Sequence, residues 1–476
     1  MRYFFLTFLA VFSFSFQISA DEIHAGNENG IISDSIKKEI GKAVSVIDGH
    51  YTSLFQRGKF NGNILIAYKG QPIYKKSLGF AVKSTGEKLN IESAFQLAST
   101  SKPFTAAAIL LLYERGKLDL DDLVTEFYPQ FPYRKVTVRH LLCHRSGIPD
   151  YLNYGALMKK AYISNEDVMD MFIKHKPKAL TTPNTVFKYN NSNYAVLAAL
   201  VEKISGESFA DFCEANIFKP LGMNNTWVWH PTQTRRKSQT YGYNASWTLR
   251  QPDKFDGVAG DKGVYSTAED LLKWDQAWYG HKFLKATTIK AAYEGQTKGS
   301  SGKDYALGWR TQDLSGDRKM VYHNGWWHDY NIVFKRFIED SLTIIILSNK
   351  YNQSVYNTNL IENTVLKQNF FDSDLNDLYY AGNEDDEKEP AEIDINPFNF
   401  QAVISNRPVA QITTAVSVPK EQGNTNYYVV KKGDTLFNIS QRFNVTVEML
   451  KKWNKMASAN IQLGQKLLIE NIKGND

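Results

Sequence analysis

The sequence STSKP at residues 99–103 opens a long apolar helix pattern, and it decides both the fold and the chemistry. Phe104 to Tyr113 is apolar at almost every position, which predicts a buried helix. Pro103 fits the first turn of that helix, because a proline there loses no intrahelical hydrogen bond. Ser99 and Lys102 are three residues apart, so they share one face at the positive end of the helix dipole.

A serine and a lysine placed in this way predict covalent catalysis. A serine hydroxyl becomes a good nucleophile only when a neighbouring group takes its proton. A lysine that is desolvated beside the serine has a lowered pKa and can serve as that base. A capped helix with an exposed lysine gives the same four-residue pattern, so the interpretation needs support from other parts of the chain.

Two later segments supply that support. The sequence FKYNN at residues 187–191 places Tyr189 and Asn191 in front of a predicted helix, Tyr194 to Ile204. A tyrosine can relay a proton, and an asparagine amide can bind a substrate carbonyl or hold the lysine. The sequence YHNGW at residues 322–326 leads into a predicted strand, and its glycine would let substrate approach the strand edge closely.

The three motifs together resemble those of the serine β-lactamase and penicillin-binding protein superfamily, which are S-x-x-K, Y-x-N and K-T-G or H-x-G in this order. The resemblance covers about residues 36–367 and is greatest to class C β-lactamases, DD-peptidases and related esterases. It extends to VTVRHLLCHRSGIPDY (136–151), GVYSTAEDLLKW (263–274) and YALGW (305–309). It implies an α+β fold, an α/β sandwich in which a mainly antiparallel sheet lies beside a helical region.

The resemblance also implies a role for each motif residue. Ser99 is expected to form the acyl-enzyme, and Lys102 and Tyr189 to move its proton to the leaving group. Asn191 is expected to orient the substrate. The backbone N–H groups of Ser99 and Trp326 would form the oxyanion hole, and two such preorganised donors contribute several kcal/mol at the transition state.

The third motif departs from the family in two ways. It reads His323-Asn324-Gly325 instead of Lys-Thr-Gly, and a neutral imidazole attracts a substrate carboxylate less than an ammonium does. The small, glycine-rich stretch that usually follows is here Trp326-Trp327-His328-Asp329, which is expected to narrow or reshape the pocket. His323, Gly325 and Trp326 remain the predicted substrate-binding residues of this strand.

The chain is predicted to contain four segments. Residues 1–20 have a positive start, an apolar run and small residues at the end, which is typical of a secretory signal peptide. Residues 21–371 form the hydrolase domain. Residues 372–426 form a polar linker, since residues 372–394 hold ten acidic residues and one basic residue. Residues 427–470 are compact again.

Residues 427–470 are similar to a LysM domain, a βααβ module that binds N-acetylglucosamine chains of peptidoglycan or chitin. The matching sequence runs YYVVKKGDTLFNISQRFNVTVEMLKKWN and continues as NIQLGQKLLI. The resemblance places a shallow groove between two loops. By that analogy, the predicted glycan-binding residues are Asp434, Thr435, Asn460 and Ile461.

Composition excludes several other classes of protein. The net charge of +6 is spread over 476 residues with no dense basic tract, so nucleic acid is not an expected partner. Two cysteines, Cys143 and Cys213, exclude a multi-cysteine metal site and are expected to be separate buried thiols. His140 and His144 lack the glutamate of a zinc motif, so packing roles are expected. We expect no metal, no cofactor and no stable membrane insertion once the signal peptide is removed.

The sequence therefore predicts a secreted or periplasmic serine hydrolase associated with the cell wall. Its expected reaction passes through an acyl-enzyme on D-alanyl peptides of peptidoglycan, as in a DD-carboxypeptidase or endopeptidase, while the LysM tail binds glycan. An esterase or a β-lactamase of the same fold is an alternative. A penicillin- or peptidoglycan-binding protein with little turnover is another.

Overall fold

The computed structural model describes residues 34–296, 302–366, 426–430, 436–443, 447–456 and 461–469. The chain divides into two units, residues 1–389 and 390–476. The predicted signal peptide lies outside the described residues, as does nearly all of the predicted linker. Within the described part of the chain, no helix combines the length and the apolarity needed to cross a membrane.

The first unit is built on one seven-stranded antiparallel sheet. Its strands are β1 (Gly62–Tyr68), β2 (Gln71–Leu78), β8 (Lys303–Tyr305), β9 (Arg310–Asp313), β10 (Lys319–Trp327), β11 (Tyr330–Phe337) and β12 (Leu342–Ser348). Their order across the sheet is β2-β1-β12-β11-β10-β9-β8. The first strands therefore pair with the last, and Ile64 lies opposite Ile346.

Smaller strands flank this sheet. They are β3 (Phe80–Val82), β4 (Glu87–Lys88), β5 (Phe95–Gln96), β6 (Trp227–Val228) and β7 (Val264–Ser266). β3 pairs with β4, and β7 lies between β5 and β6.

The helices of the first unit follow the apolar patterns of the sequence. They are α1 (Asp34–Gln56), α2 (Lys102–Glu114), α3 (Val124–Phe127), α4 (Val138–Leu142), α5 (Asn165–His175), α6 (Asn191–Ser205), α7 (Phe209–Cys213), α8 (Ala268–Ala277), α9 (Ala286–Ala292) and α10 (Asn359–Leu366). α2 and α6 are buried along most of their length. A helix that is apolar on all sides belongs inside a domain, so these two helices form the centre of the helical region.

The sheet is covered on both faces. α1 and α10 pack on one face, where Ile47 and Ile361 join the apolar side chains of the strands in one cluster. α8 and the helical region cover the other face. β12 is buried at every position, which explains why its sequence LTIIILS does not alternate between apolar and polar residues. Cys143 and Cys213 are separate buried thiols, as predicted.

A buried ion pair joins the helical layer to the sheet. Arg336 of β11 donates from Nε to Asp275 Oδ1 of α8 at 2.5 Å, and both side chains are fully buried. The same guanidinium also contacts the hydroxyl of Tyr293 and the backbone oxygen of Asp275. This network fixes α8 against the sheet that carries the third motif.

The second unit contains β13 (Asn426–Val429), α11 (Leu436–Phe443), α12 (Val447–Trp453) and β14 (Lys466–Ile469). The two strands pair antiparallel, with Tyr427 opposite Leu468. Apolar side chains from the helices and from β14 form its small core. The order β-α-α-β is the one that the sequence predicts.

Candidate active site

Ser99 lies in a short 3₁₀ turn, Ala98–Ser101, that runs directly into α2. The preceding residue, Ala98, has a φ of 50°, in the left-handed region that non-glycine residues rarely adopt. This turn directs the backbone sharply into the helix and leaves the serine 9% exposed. Backbone strain of this kind is concentrated at functional sites.

Lys102 lies at the start of α2 and is completely buried. Its Nζ is 3.1 Å from Ser99 Oγ, 2.9 Å from Asn191 Oδ1 and 3.0 Å from the backbone oxygen of Asp261. Three acceptors match the three N–H donors of an ammonium group. The first and second sequence motifs therefore meet at one buried amine.

Tyr189 lies beside this amine. Lys102 Nζ is 4.8 Å from the centre of the Tyr189 ring. The ring of His144 packs on it with centroids 4.3 Å apart, and the guanidinium carbon of Arg310 is 5.3 Å from its centre. The phenol is thus held between two cations and an imidazole.

The segment after α4 fixes the second motif in place. Asn190 caps α6 by accepting from the Ser192 N–H, and its amide donates to the Ile148 oxygen. The backbone N–H of Asn191 donates to the carboxylate of Asp150 at 3.1 Å. Burial raises the pKa of Asp150. These contacts fix the backbone at Asn191 and so orient its side-chain oxygen toward Lys102 Nζ.

His144 belongs to the wall of the site. Its Nδ1 accepts from the backbone N–H of Asn190 at 3.2 Å and from the Asn193 amide at 2.9 Å, so the ring proton is on Nε2. Burial, and next Lys102, hold its pKa well below the usual histidine value. His140 instead accepts from the Thr137 N–H at the start of α4. The expected packing role therefore describes both residues, but His144 packs on the motif tyrosine.

A second buried network supports the backbone oxygen that Lys102 contacts. The Tyr151 hydroxyl donates to Asp261 Oδ2 at 3.0 Å, and Lys262 Nζ donates to that hydroxyl at 2.6 Å. Lys262 also pairs with the Asp261 carboxylate at 3.1 Å, and both side chains are buried. Because the carboxylate is anchored twice, the Asp261 carbonyl has little freedom to move away from Lys102.

The third motif lies on β10, against the turn that carries Ser99. Thr100 Oγ1 donates to the His323 backbone oxygen at 3.2 Å. A Cβ on Gly325 would lie 2.1 Å from the Leu97 backbone oxygen and 3.0 Å from Thr100 Oγ1. The protein's own 3₁₀ turn therefore occupies the space on the Cβ side of Gly325, and close approach of substrate to this strand edge stays a prediction.

His323 is fully buried and neutral. Its Nδ1 donates to the Asn324 backbone oxygen at 2.8 Å, which leaves Nε2 to accept from the Tyr305 hydroxyl at 3.2 Å. Burial holds its pKa well below the usual value, and Arg310 and Lys102 lower it further. The imidazole therefore carries no charge with which to attract a substrate carboxylate.

Arg310 supplies a positive charge, which the third motif, His323-Asn324-Gly325, lacks. It is the first residue of β9 and lies opposite Tyr322 in the β9–β10 ladder. Its guanidinium is close enough to lower the pKa of both His144 and His323. Arg310 is not among the residues predicted from the sequence, although it directly follows the family-like segment YALGW.

The segment after the third motif forms the β10–β11 turn. Trp326 is 36% exposed, and its ring centroid lies 6.4 Å from that of Tyr351. Trp327 Nε1 and His328 Nε2 both lie 2.8 Å from the carboxylate of Asp256. The two large side chains are therefore anchored to the loop around Asp256 rather than left free at the mouth of the site.

The predicted glycan-binding residues are described only in part. Asp434, Thr435 and Asn460 lie outside the described residues. Ile461 is half-buried and packs against the core of the second unit.

Comparison with known proteins identifies both parts of the chain. A family model described as Beta-lactamase matches residues 49–366, more than half of the chain, and a LysM domain model matches residues 428–470. Penicillin-binding protein 4* of Bacillus subtilis (strain 168) is 35% identical over 324 residues, which cover 64% of this chain and 72% of that protein. The putative penicillin-binding protein PbpX of the same organism is 30% identical over 294 residues, covering 60% and 70%.

A solved structure agrees with this assignment. The crystal structure of a penicillin binding protein from Bacillus halodurans superposes with a TM-score of 0.59 and 25% identity, covering 67% of this chain and 97% of that one. The chain belongs to the beta-lactamase family of serine hydrolases, and its relatives include penicillin-binding proteins. It also carries a LysM peptidoglycan-binding module.

Proposed function

We propose that the protein is a wall-associated DD-peptidase that acts on D-alanyl peptides of peptidoglycan through an acyl-enzyme on Ser99. One observation carries the proposal: Lys102 Nζ contacts both Ser99 Oγ and Asn191 Oδ1, beside a phenol and a guanidinium. A nucleophile, a proton acceptor, an amide and a carboxylate-binding cation are the groups that this reaction requires.

In the proposed acylation, Ser99 Oγ forms a bond to the acyl carbon of the substrate as its proton passes to the ionised oxygen of Tyr189, which the positive charges of Lys102 and Arg310 stabilise. The carbonyl oxygen becomes an oxyanion, which the backbone N–H groups of Ser99 and Trp326 would stabilise. The bond to the leaving amine then breaks, and the same proton is delivered to that nitrogen. Water repeats the sequence on the ester and releases the shortened peptide.

Tyr189 is suited to carry that proton. Positive charge on Lys102 and Arg310 stabilises an ionised phenol more than a neutral one. The His144 ring holds the phenol in position from the side. We therefore assign proton transfer to the pair of Lys102 and Tyr189 acting together.

Arg310 would select the substrate by its terminal carboxylate. A guanidinium offers a planar set of donors that matches a carboxylate in a bidentate arrangement. His323 is neutral, so this recognition falls to Arg310. A terminal D-alanine carries such a carboxylate, whereas a simple ester substrate does not.

The LysM module would bind glycan and keep the hydrolase near its substrate. A tethered site works at a high effective concentration without additional contacts. We propose that the protein is exported and acts at the cell wall, which agrees with the leader-like residues 1–20.

Mass spectrometry of muropeptides tests the proposed reaction. Monomeric and cross-linked pentapeptide muropeptides are incubated with the protein and with Ser99→Ala. Loss of a terminal D-alanine or cleavage of a cross-link by the wild type alone supports the proposal and distinguishes a carboxypeptidase from an endopeptidase. Unchanged muropeptides, together with rapid hydrolysis of a small ester, would make the protein an esterase.

The role of the LysM module is tested separately. The full-length chain should sediment with purified sacculi, and a chain that ends before Tyr427 should not. Both should hydrolyse a small soluble acyl donor at the same rate. If the shortened chain sediments fully, wall binding resides elsewhere.

A further inference from the structure

A pocket of about 430 Å³ lies in the first unit, away from Ser99. One wall is the connection between α1 and β1, residues 57–61. The other includes residues 350–354, which follow β12. Its walls include Arg57, Lys59, Lys350, Asn352 and Gln353. Its volume falls within the range of about 300–1,000 Å³ that is usual for small-molecule sites.

The pocket is strongly basic. Arg57, Lys59 and Lys350 line it, and its lining contains no aspartate or glutamate. Among the residues that the structure describes, no carboxylate lies within ion-pair distance of these three side chains. Lys59 is close enough to Lys350 to lower its pKa, and Arg57 lines the same pocket, so a bound anion would be attracted by all three charges.

Lys350 shows that the cationic wall extends below the surface. Its side chain is only 9% exposed, and its Nζ donates to the Gly58 backbone oxygen at 3.1 Å. Burial, and next the charge of Lys59, lower its pKa. Besides the Gly58 oxygen, its Nζ faces the Trp247 ring at 5.3 Å, and a bound anion would add to these contacts.

Hydrogen bonds hold the two walls of the pocket together. The Asn352 amide donates to the Lys59 backbone oxygen, and Lys350 contacts Gly58 on the same wall. The backbone N–H of Asn352 donates to Asn331 Oδ1 at 2.8 Å, which fixes this segment to β11. The cationic groups are therefore carried by a preorganised frame, which reduces the entropic cost of binding.

We propose that this pocket binds a phosphate group, either as the free ion or as part of a small polar molecule. Three cations match an anion with up to two negative charges and several oxygens better than they match a single carboxylate. Asn352 and Gln353 offer amide groups to the hydroxyl groups of such a molecule.

The pocket lies next to the end of β10 but is separate from the cluster of Ser99, Lys102 and Tyr189. Tyr351 lines the pocket, and its ring lies 6.4 Å from that of Trp326. Tyr356, in the same segment, donates from its hydroxyl to the Gly325 backbone oxygen at 2.8 Å. The inference does not depend on which acyl substrate Ser99 uses.

Isothermal titration calorimetry on the full-length protein tests the proposal. Inorganic phosphate and glycerol 3-phosphate are titrated at constant ionic strength, with succinate as a dianion without phosphorus. Wild type should bind both phosphates saturably and succinate at least tenfold more weakly. Arg57→Gln/Lys59→Gln should weaken phosphate binding at least tenfold without affecting the fold, because both side chains are exposed.

The matched control, Lys282→Gln/Lys290→Gln, removes the same amount of charge from exposed positions elsewhere and should bind phosphate as the wild type does. Equal affinity of the wild type and the Arg57/Lys59 variant overturns the proposal, as does absence of saturable binding. Equal binding of succinate and phosphate overturns the choice of phosphate. Binding of glycerol 3-phosphate but not of inorganic phosphate identifies an organic phosphate as the ligand, whereas equal binding identifies the free ion.

Discussion

The guanidinium of Arg310 lies 5.3 Å from the centre of the Tyr189 ring. Arg310 begins β9, near the edge of the sheet, and Tyr189 precedes the central helix α6. Their contact brings a permanent positive charge to a site whose third motif carries a neutral histidine. We propose that Arg310, and not the third motif, recognises the carboxylate of the substrate.

Arg310→Gln should weaken recognition of substrates with a free terminal carboxylate. A hydrogen bond to a charged group contributes about 1.5–3 kcal/mol, so kcat/KM should fall by about 10- to 150-fold. Steady-state kinetics on a D-alanyl-D-alanine peptide measures the loss.

The control for this variant is the same peptide with an amidated terminus. Wild type and Arg310→Gln should hydrolyse the amidated peptide at similar rates, and Arg310→Lys should recover part of the activity on the acid. An equal loss of kcat/KM on both peptides would mean that Arg310 maintains the structure of the site and does not bind the carboxylate.

Lys262→Met should destabilise the protein and slow acylation. It leaves the buried carboxylate of Asp261 without its cation, which costs about 3–5 kcal/mol of unfolding free energy. Urea unfolding measures the stability, and the rate of acylation by a reporter acyl donor measures the effect on Lys102.

The double variant Asp261→Asn/Lys262→Met removes both charges and should recover most of the lost stability. If Lys262→Met is as stable as wild type, the ion pair does not hold the Asp261 carbonyl as we infer.

Gly325→Ala should disrupt the contact between β10 and the turn that carries Ser99. The added methyl group would lie 2.1 Å from the Leu97 oxygen, so the backbone has to shift. We expect the unfolding free energy to fall by about 1–3 kcal/mol and acylation to become slower.

Gly49→Ala is the control for this variant. Gly49 lies within α1 with open space around it, so the substitution should stabilise the protein by up to about 1 kcal/mol. Wild-type kinetics in Gly325→Ala would contradict this prediction.

The two buried histidines should make the fold sensitive to acid. His144 and His323 stay neutral in the folded chain, since their pKa values are depressed, whereas in the unfolded chain each binds a proton below pH of about 6.5. Below that pH the unfolded state binds more protons, so unfolding free energy falls as the pH falls. Each histidine contributes up to about 1.4 kcal/mol per pH unit.

Urea unfolding between pH 7.5 and 5.5 measures this slope. His323→Gln should be less sensitive to pH than the wild type in that window. An unchanged slope would show that the pKa of His323 in the folded chain is not lowered relative to the unfolded chain.

The sequence was sufficient for the fold and for the main motifs. The apolar residues after Lys102 and those of β12 follow one another with few polar residues between them. Such runs predict elements that are buried on all sides, and both elements are buried. Family motifs at Ser99, Tyr189 and His323 placed these residues in one site before any geometry was known.

The remaining features depend on contacts between distant parts of the chain. Arg310 and Lys262 look like ordinary surface charges in sequence, and only folding brings them near Tyr189 and Asp261. The close approach of the Leu97 oxygen to Gly325 could not be predicted, because the two residues are more than two hundred positions apart in the chain. A pattern within one segment does not report such a neighbour.

Intact-protein mass spectrometry after mixing with a β-lactam, followed by peptide mapping, tests the central claim most directly. A β-lactam is an acyl donor whose ring opening leaves the acyl group on the nucleophile. We predict an adduct of the full β-lactam mass on Ser99 in the wild type and none in Ser99→Ala. An adduct on another residue, or one of equal yield in Ser99→Ala, would contradict the assignment of Ser99 as the nucleophile.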